Sequence, residues 1–205
     1  MEQGINLIKN KHVARMLAIV LISIALIIES VEFFSVAFED RLLFENLFAY
    51  IFEIVSNGLL IYALIRKKPP LIEIALIVLK VFEGTYYPLR SSQRLDRLLA
   101  SDASTFNIVT HVLFAVAAFS LLFGLIFFCI YKLRGEKIRH WDLMKVWVLI
   151  ASIFMFAIVI LYVIEIIKDG EMTWEELLEP VALTILFLGM FMTYEYVEEE
   201  IIYNE

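Results

Sequence analysis

The chain holds one cysteine, three histidines, four prolines and seven glycines in 205 residues, and each shortage excludes something. A lone Cys129 cannot build a disulfide framework or a Cys-pair metal or redox motif, and three scattered histidines give no H-x-x-x-H pair for a zinc hydrolase. No Pro-, Gly- or Ser-rich linker and no repeat interrupts the chain, so residues 1–205 read as one domain. Basic residues are outnumbered, 17 Lys and Arg to 24 Asp and Glu, and the resulting net charge of -7 argues against nucleic acid as a partner.

What the sequence has instead is apolar residue. The hydrophobic share is 61%, against about 45–50% in a soluble domain, so a water-soluble globule is excluded first and a bilayer is the expected environment. The question is then where the acids go.

A helix needs about 20 mostly apolar residues to cross the hydrocarbon. Six such runs are bounded by charges, Pro or Gly: about 13–38, 42–65, 70–89, 105–132, 143–167 and 177–201. The expected fold is therefore all-α, a polytopic transmembrane bundle of six helices. The third run is the weakest, because it carries Glu73, Lys80 and Glu83. Charge bias favours six over five: one side collects Lys9, Lys11, Arg15, Arg66, Lys67, Lys68, Lys132, Arg134, Lys137, Arg139 and Lys145, while the other receives Arg41, Arg90, Arg94, Arg97 and Lys168. Both termini are predicted cytoplasmic, in a multi-pass protein of the cell membrane. The first helix is too long for a cleavable signal peptide and is expected to be retained. Residues 88–104 can fold outside the membrane, with Arg90, Arg94 and Arg97 on a surface helix over the outer mouth. A voltage sensor would need those arginines in an apolar helix, and here Ser, Gln and Asp surround them.

The informative residues are the charges inside the runs. An ionisable group at the bilayer centre costs about 2.5–3.5 kcal/mol, so it must face protein, water or a partner. Glu29 and Glu32 share one face of helix 1, roughly 5 to 9 Å outward of its midpoint. Helix 2 carries Asn46, Tyr50, Glu53 and Asn57 as one polar stripe, and helix 3 carries Glu73, Lys80, Glu83 and Tyr87 as another. Asn107 and His111 lie in the outer third of helix 4, Tyr162 and Glu165 near the outer end of helix 5, and Glu175, Glu176 and Glu179 open helix 6. These placements predict a polar cavity open to the outside, with ligand-binding residues Glu29, Glu32, Glu53, Asn57, Lys80, Glu83 and His111, above an apolar cytoplasmic half.

Plainer readings exist for each group. Lys80 with Glu83, or with a carboxylate of another helix, is most simply an internal ion pair that fixes helix register, and Tyr50, Asn57 and Asn107 suit interhelical hydrogen bonds. One Lys and one His cannot pair all the carboxylates, however, and those left over must be protonated or hold a cation. Glu29, Glu32, Glu53, Glu83 and His111 offer hard oxygen ligands and one imidazole, which suit Mn, Fe or Zn, although the E-x-x-H pair of di-iron bundles is missing and Lys80 would oppose a metal. The aromatic residues read as packing, with Trp141, Trp147, Trp174 and Tyr203 as interfacial anchors, so no cofactor is expected. Expected partners are the lipid bilayer, a small cation or proton, and in any assembly further copies of the chain.

Two resemblances bear on this picture. E-L-L-E-P-V (Glu176 to Val181), followed by TYEYV, resembles the D-I-M-E-P-V selectivity segment of calcium uniporters and would imply a cation channel. That family uses two membrane helices per subunit and Asp where Glu176 stands, and capping of a helix N-terminus explains the acids more simply. GLLIYALIRKKPPLIEIALIVLKVFEG (Gly58 to Gly84) and AAFSLLFGLIFFCIYKLRGEKIRH (Ala117 to His140) resemble a family of six-helix prokaryotic membrane proteins known only as a domain of unknown function. There Lys80 and Glu83 stand at an R-x-x-E pair, with Lys replacing Arg. The resemblance implies six helices and no particular activity. The leading expectation is a binder of a small cationic or protonatable ligand, used in transport or sensing. The alternatives are a membrane scaffold with structural ion pairs, and a cation channel or metal-dependent membrane enzyme.

Overall fold

The computed structural model describes residues 2–38, 44–99, 104–135, 139–169 and 174–204, with side chains over 11–34, 47–93, 98, 104–135, 143–168 and 176–197. Asn46, Arg94, Arg97, Trp141, Trp174, Glu175 and Tyr203 fall outside the described side chains. The described residues form six α-helices: α1 (Glu2–Phe38), α2 (Phe44–Arg66), α3 (Pro69–Leu99), α4 (Thr105–Leu133), α5 (Arg139–Asp169) and α6 (Leu178–Asn204), the last entered through a 3₁₀ turn at Trp174–Leu177. No strand occurs among the described residues.

Each helix packs against its neighbours in sequence, and α1 closes on α6, so the six form a ring in chain order. Across its middle α3 touches α6. Short connections force neighbouring helices to run antiparallel. All helices except α3 contain spans long and apolar enough to cross a membrane, Lys11–Phe34, Leu47–Arg66, Thr105–Leu133, Leu143–Lys168 and Leu178–Val197. The chain is in this respect consistent with a multi-pass membrane protein. Of these five spans α6 is the most enclosed, with 67% of its span buried against 22–39% for the others.

Small residues set the closest approaches. Ala14, Ala18, Ile22 and Ala25, spaced four, four and three apart on α1, are buried. Gly189 of α6 meets this stripe so closely that an added Cβ would stand 2.6 Å from Ile22 Cγ1. Gly84 of α3 likewise leaves 3.0 Å between such a Cβ and Leu125 Cδ2 on α4. Without a hydrophobic drive between helices in lipid, close backbone packing of this kind is what holds a bundle together. By comparison α2 packs lightly on both neighbours, with Phe52 stacked on Phe82 of α3 at 4.4 Å between ring centroids.

Helix ends follow local chemistry. Ser104 caps α4 by accepting from the Asn107 amide at 3.2 Å. Pro69 opens α3, where its missing amide is no loss. Two lengths differ from the hydropathy expectation. α1 starts at Glu2 rather than near residue 13, because polar residues continue a helix that an apolar rule ends. α3 runs through Pro88 to Leu99 rather than ending near residue 89. Proline removes the amide that would bond the Gly84 carbonyl, which bends a helix without ending it when both flanks pack.

Apolar and polar residues divide the bundle lengthwise. Towards the chain termini the core is Ala14, Leu60, Leu64, Ile72, Leu76 and Met144. Cross-links at that end are peripheral: Lys132 with Glu73, Lys145 Nζ with Glu195 Oε2 at 2.9 Å, and Lys11 over the Tyr196 ring. Most buried carboxylate chemistry lies in the other half.

Candidate functional site

Helical spacing explains why charges converge here. On α3, Lys80, Glu83, Tyr87 and Arg90 are three, four and three apart, so they share one face over about 15 Å of helix. That face points inward, with Lys80 2%, Glu83 1% and Tyr87 3% exposed. The opposite face, Ile74, Val78, Val81 and Leu89, is exposed apolar surface. On α1 the packing stripe of Ala18, Ile22 and Ala25 continues at helical intervals into Glu29 and Glu32, which carries these acids to the same interior.

Donors from neighbouring helices meet the acids. Tyr50 of α2 donates to Glu32 of α1 at 2.8 Å, and Asn57 Nδ2 of α2 donates to Glu29 Oε2 at 3.1 Å. The Tyr87 hydroxyl of α3 donates to Glu53 Oε1 of α2. Nearer the mouth, Arg90 Nη1 of α3 pairs with Glu179 Oε1 of α6 at 3.2 Å. Glu29, Glu32, Tyr50, Glu53, Tyr87, Arg90 and Glu179 line one void with Ala182 and Leu183. The void is small, about 20 Å³, which admits one or two waters.

Below it the pairing breaks down. Glu29 Oε1, Asn57 Oδ1, Lys80 Nζ and both Glu83 carboxylate oxygens are buried without a hydrogen-bond partner. Lys80 Nζ instead lies over the Tyr194 ring of α6, 5.6 Å from its centroid. The internal Lys80–Glu83 ion pair expected from the spacing is thus not a hydrogen-bonded one, although the two groups interact electrostatically.

The structure brings Glu29, Glu32, Glu53 and Asn57 together and sets Lys80 and Glu83 below them. It places His111 elsewhere, in a second cavity with Thr110, Phe114, Met155, Ile158 and Tyr162 between α4, α5 and α6. His111 Nδ1 donates to the Asn107 carbonyl at 2.7 Å. Glu179 lines both cavities and is the residue they share with charge. Among the described residues no three His, Cys, Asp or Glu side chains are placed to hold one metal ion, so the carboxylates with His111 offer no ready ligand set. Glu73, the remaining acid of the α3 stripe, is engaged by Lys132 near the terminal end.

Sequence reasoning set Arg90 outside the bundle and treated Glu179 as a helix cap. Both are members of the site. The signal for Arg90 is its continuation of the Lys80, Glu83, Tyr87 period, whereas Glu179 has none beyond lying one residue before Pro180. No family model, curated protein or solved structure matches the chain.

Proposed function

We propose that the protein crosses the cell membrane six times, with both termini cytoplasmic, and binds a small cation or proton in an acidic cavity facing outside, for transport or sensing. The sixth span is α3. A helix that buries Lys80 and Glu83 while exposing Ile74, Val78, Val81 and Leu89 has the polarity of a segment surrounded by lipid, not water.

The observation that carries the binding reading is the imbalance of buried charge beside the small void. Among the described side chains there, the buried acids Glu29, Glu53 and Glu83 stand with one buried cation, Lys80. Three carboxylates with one cation leave negative charge that a low-dielectric interior does not tolerate uncompensated. The size of the void favours a proton or a bare inorganic cation over an organic amine of several heavy atoms. A thermal-shift screen of the purified protein over alkali and alkaline-earth cations and small amines, from about pH 5 to about pH 8, tests the reading. Stabilisation by cation or by pH in wild type, lost in folded Glu53→Gln or Glu83→Gln protein, is expected. Wild-type responses in both variants refute it.

A scaffold role has its own support. The donors to Glu29, Glu32 and Glu53 all cross helix boundaries and tie down α2, the most lightly packed helix. It predicts that the same variants lose stability and that no condition in the screen shifts wild type.

A further inference from the structure

The identity of the species bound follows from which atoms lack partners. Glu29 Oε1, Asn57 Oδ1, Glu83 Oε1 and Glu83 Oε2 are acceptors on three adjoining helices, all buried and all unfilled. Lys80 Nζ is an unfilled donor, yet it faces the Tyr194 ring and makes no hydrogen bond to any of them. Buried polar groups are almost always satisfied, so a cluster of acceptors without protein partners marks a place where a bound donor fits. A metal ion would draw several oxygens onto one point, and no three acidic or imidazole side chains among the described residues are so placed. A carboxyl proton needs no convergence, only an oxygen and a route.

Hydroxyls supply the outer part of a route. Tyr50 bonded to Glu32 and Tyr87 bonded to Glu53 form two hydroxyl–carboxylate links around a void of water size. Such links pass protons by making and breaking O–H bonds only, whereas the Asn57 amide that serves Glu29 does not. From Tyr87, the next inward member of the α3 face is Glu83, one turn away. Beyond Glu83 and Lys80, the α3 residues Leu79 and Leu76 are buried and apolar.

We infer that the acidic cavity is a proton half-channel in which Glu53 and Tyr87 carry protons from the mouth to Glu83, the innermost acceptor. The inference rests on the cation-or-proton reading above and selects the proton from it. The groups that act on Glu83 are Lys80 and Tyr87 on its own helix, Glu29 of α1, Glu53 of α2 and Tyr194 of α6. At this level α4 contributes the apolar Leu121 and Leu125 around Gly84. Lys80, held over Tyr194, is a positioning residue for the charge at Glu83.

Infrared difference spectroscopy on the whole protein in lipid, between about pH 5 and about pH 8, tests this. The expected result is a protonated-carboxyl band that titrates, keeps its midpoint when sodium replaces choline, and loses one component in Glu83→Gln. Should that variant fail to fold, the double variant Glu83→Gln with Lys80→Met, which removes both charges at similar volume, must lose the same component. An unchanged band in the variant that folds overturns the assignment. A band that sodium suppresses overturns the proton and leaves a metal-cation site standing. No titrating band, together with no thermal response to any cation, overturns both readings.

Discussion

Glu29→Gln separates a structural carboxylate from a functional one. In the native protein Asn57 Nδ2 donates to Glu29 Oε2 at 3.1 Å, while Glu29 Oε1 and Asn57 Oδ1 stay buried and unfilled. Glutamine has the same size and shape. Its carbonyl oxygen keeps the bond from Asn57, and its amide nitrogen brings a donor to where Asn57 Oδ1 has none. One hydrogen bond becomes two, and a buried charge disappears. A hydrogen bond contributes about 0.5–1.5 kcal/mol in proteins, and nearer 0.6 on average inside a membrane bundle. Relief of the unfilled acceptors adds to that, so stabilisation of about 1–2 kcal/mol is expected. For a chain of 205 residues that corresponds to about 2–8 °C in Tm. Asn57→Leu goes the other way: it removes the donor at a fully buried position, leaves the carboxylate with nothing, and costs about 2–3 kcal/mol. The measurement is reversible unfolding in bicelles by denaturing detergent, with a thermal melt alongside. The response to cation or pH should weaken in Glu29→Gln even as its stability rises, the usual relation at a site that stores unfavourable electrostatics for use. A Glu29→Gln protein less stable than wild type by 1 kcal/mol or more would refute the reasoning, because it would mean the carboxylate is fully engaged and serves packing.

Two further expectations concern the frame around the site. Gly189→Ala drives a methyl to within 2.6 Å of Ile22 Cγ1 and should destabilise by about 1–3 kcal/mol; adding Ile22→Ala removes the clashing atom, and a double-mutant cycle should return a favourable coupling above about 1 kcal/mol. If α3 spans the membrane, reporters fused to the N- and C-terminus appear on the same, cytoplasmic side, and reporters on opposite sides would leave α3 out of the bilayer.

The segments α1, α2, α4, α5 and α6 are legible in sequence because apolar runs of membrane length have few other uses. α3 is the run that rule reads most weakly, since at most 16 consecutive residues, those between Glu73 and Arg90, carry as few as two charges. Its period shows what hydropathy hides: the charges fall on one stripe and the apolar residues on the other. The candidate site is legible by the same logic only in part. Counting residues at about 1.5 Å each gives depth, and depth places Glu29, Glu53, Glu83 and His111 at similar levels. It does not give direction around the helix axis, which depends on which neighbours a helix meets. α4 lies between α3 and α5, and the side that carries His111 looks toward α5 and α6. Glu179 is ambiguous for another reason. A carboxylate at a helix start is favourable by itself, so nothing in the sequence requires the further partner that Arg90 provides.

The lightness of α2 packing bears on how any substitution here is interpreted. α1 and α6 meet through alanines and a glycine, α3 and α4 through Gly84, and both contacts are tight in backbone packing, with Lys11 over Tyr196 and Lys132 with Glu73 added near the terminal end. α2 has a ring stack at Phe52 and, beyond it, hydrogen bonds that run from Tyr50 and Asn57 to α1 and from Tyr87 to its own Glu53. The groups that would hold a proton are therefore also the groups that hold this helix. Alanine at any of them removes charge, bond and packing together, and its effect cannot be assigned to one. Glutamine for glutamate and phenylalanine for tyrosine remove one property at a time. Tyr87→Phe keeps the ring packed on Phe114 while removing the hydroxyl from Glu53, so it interrupts the path to Glu83 and leaves the carboxylates in place.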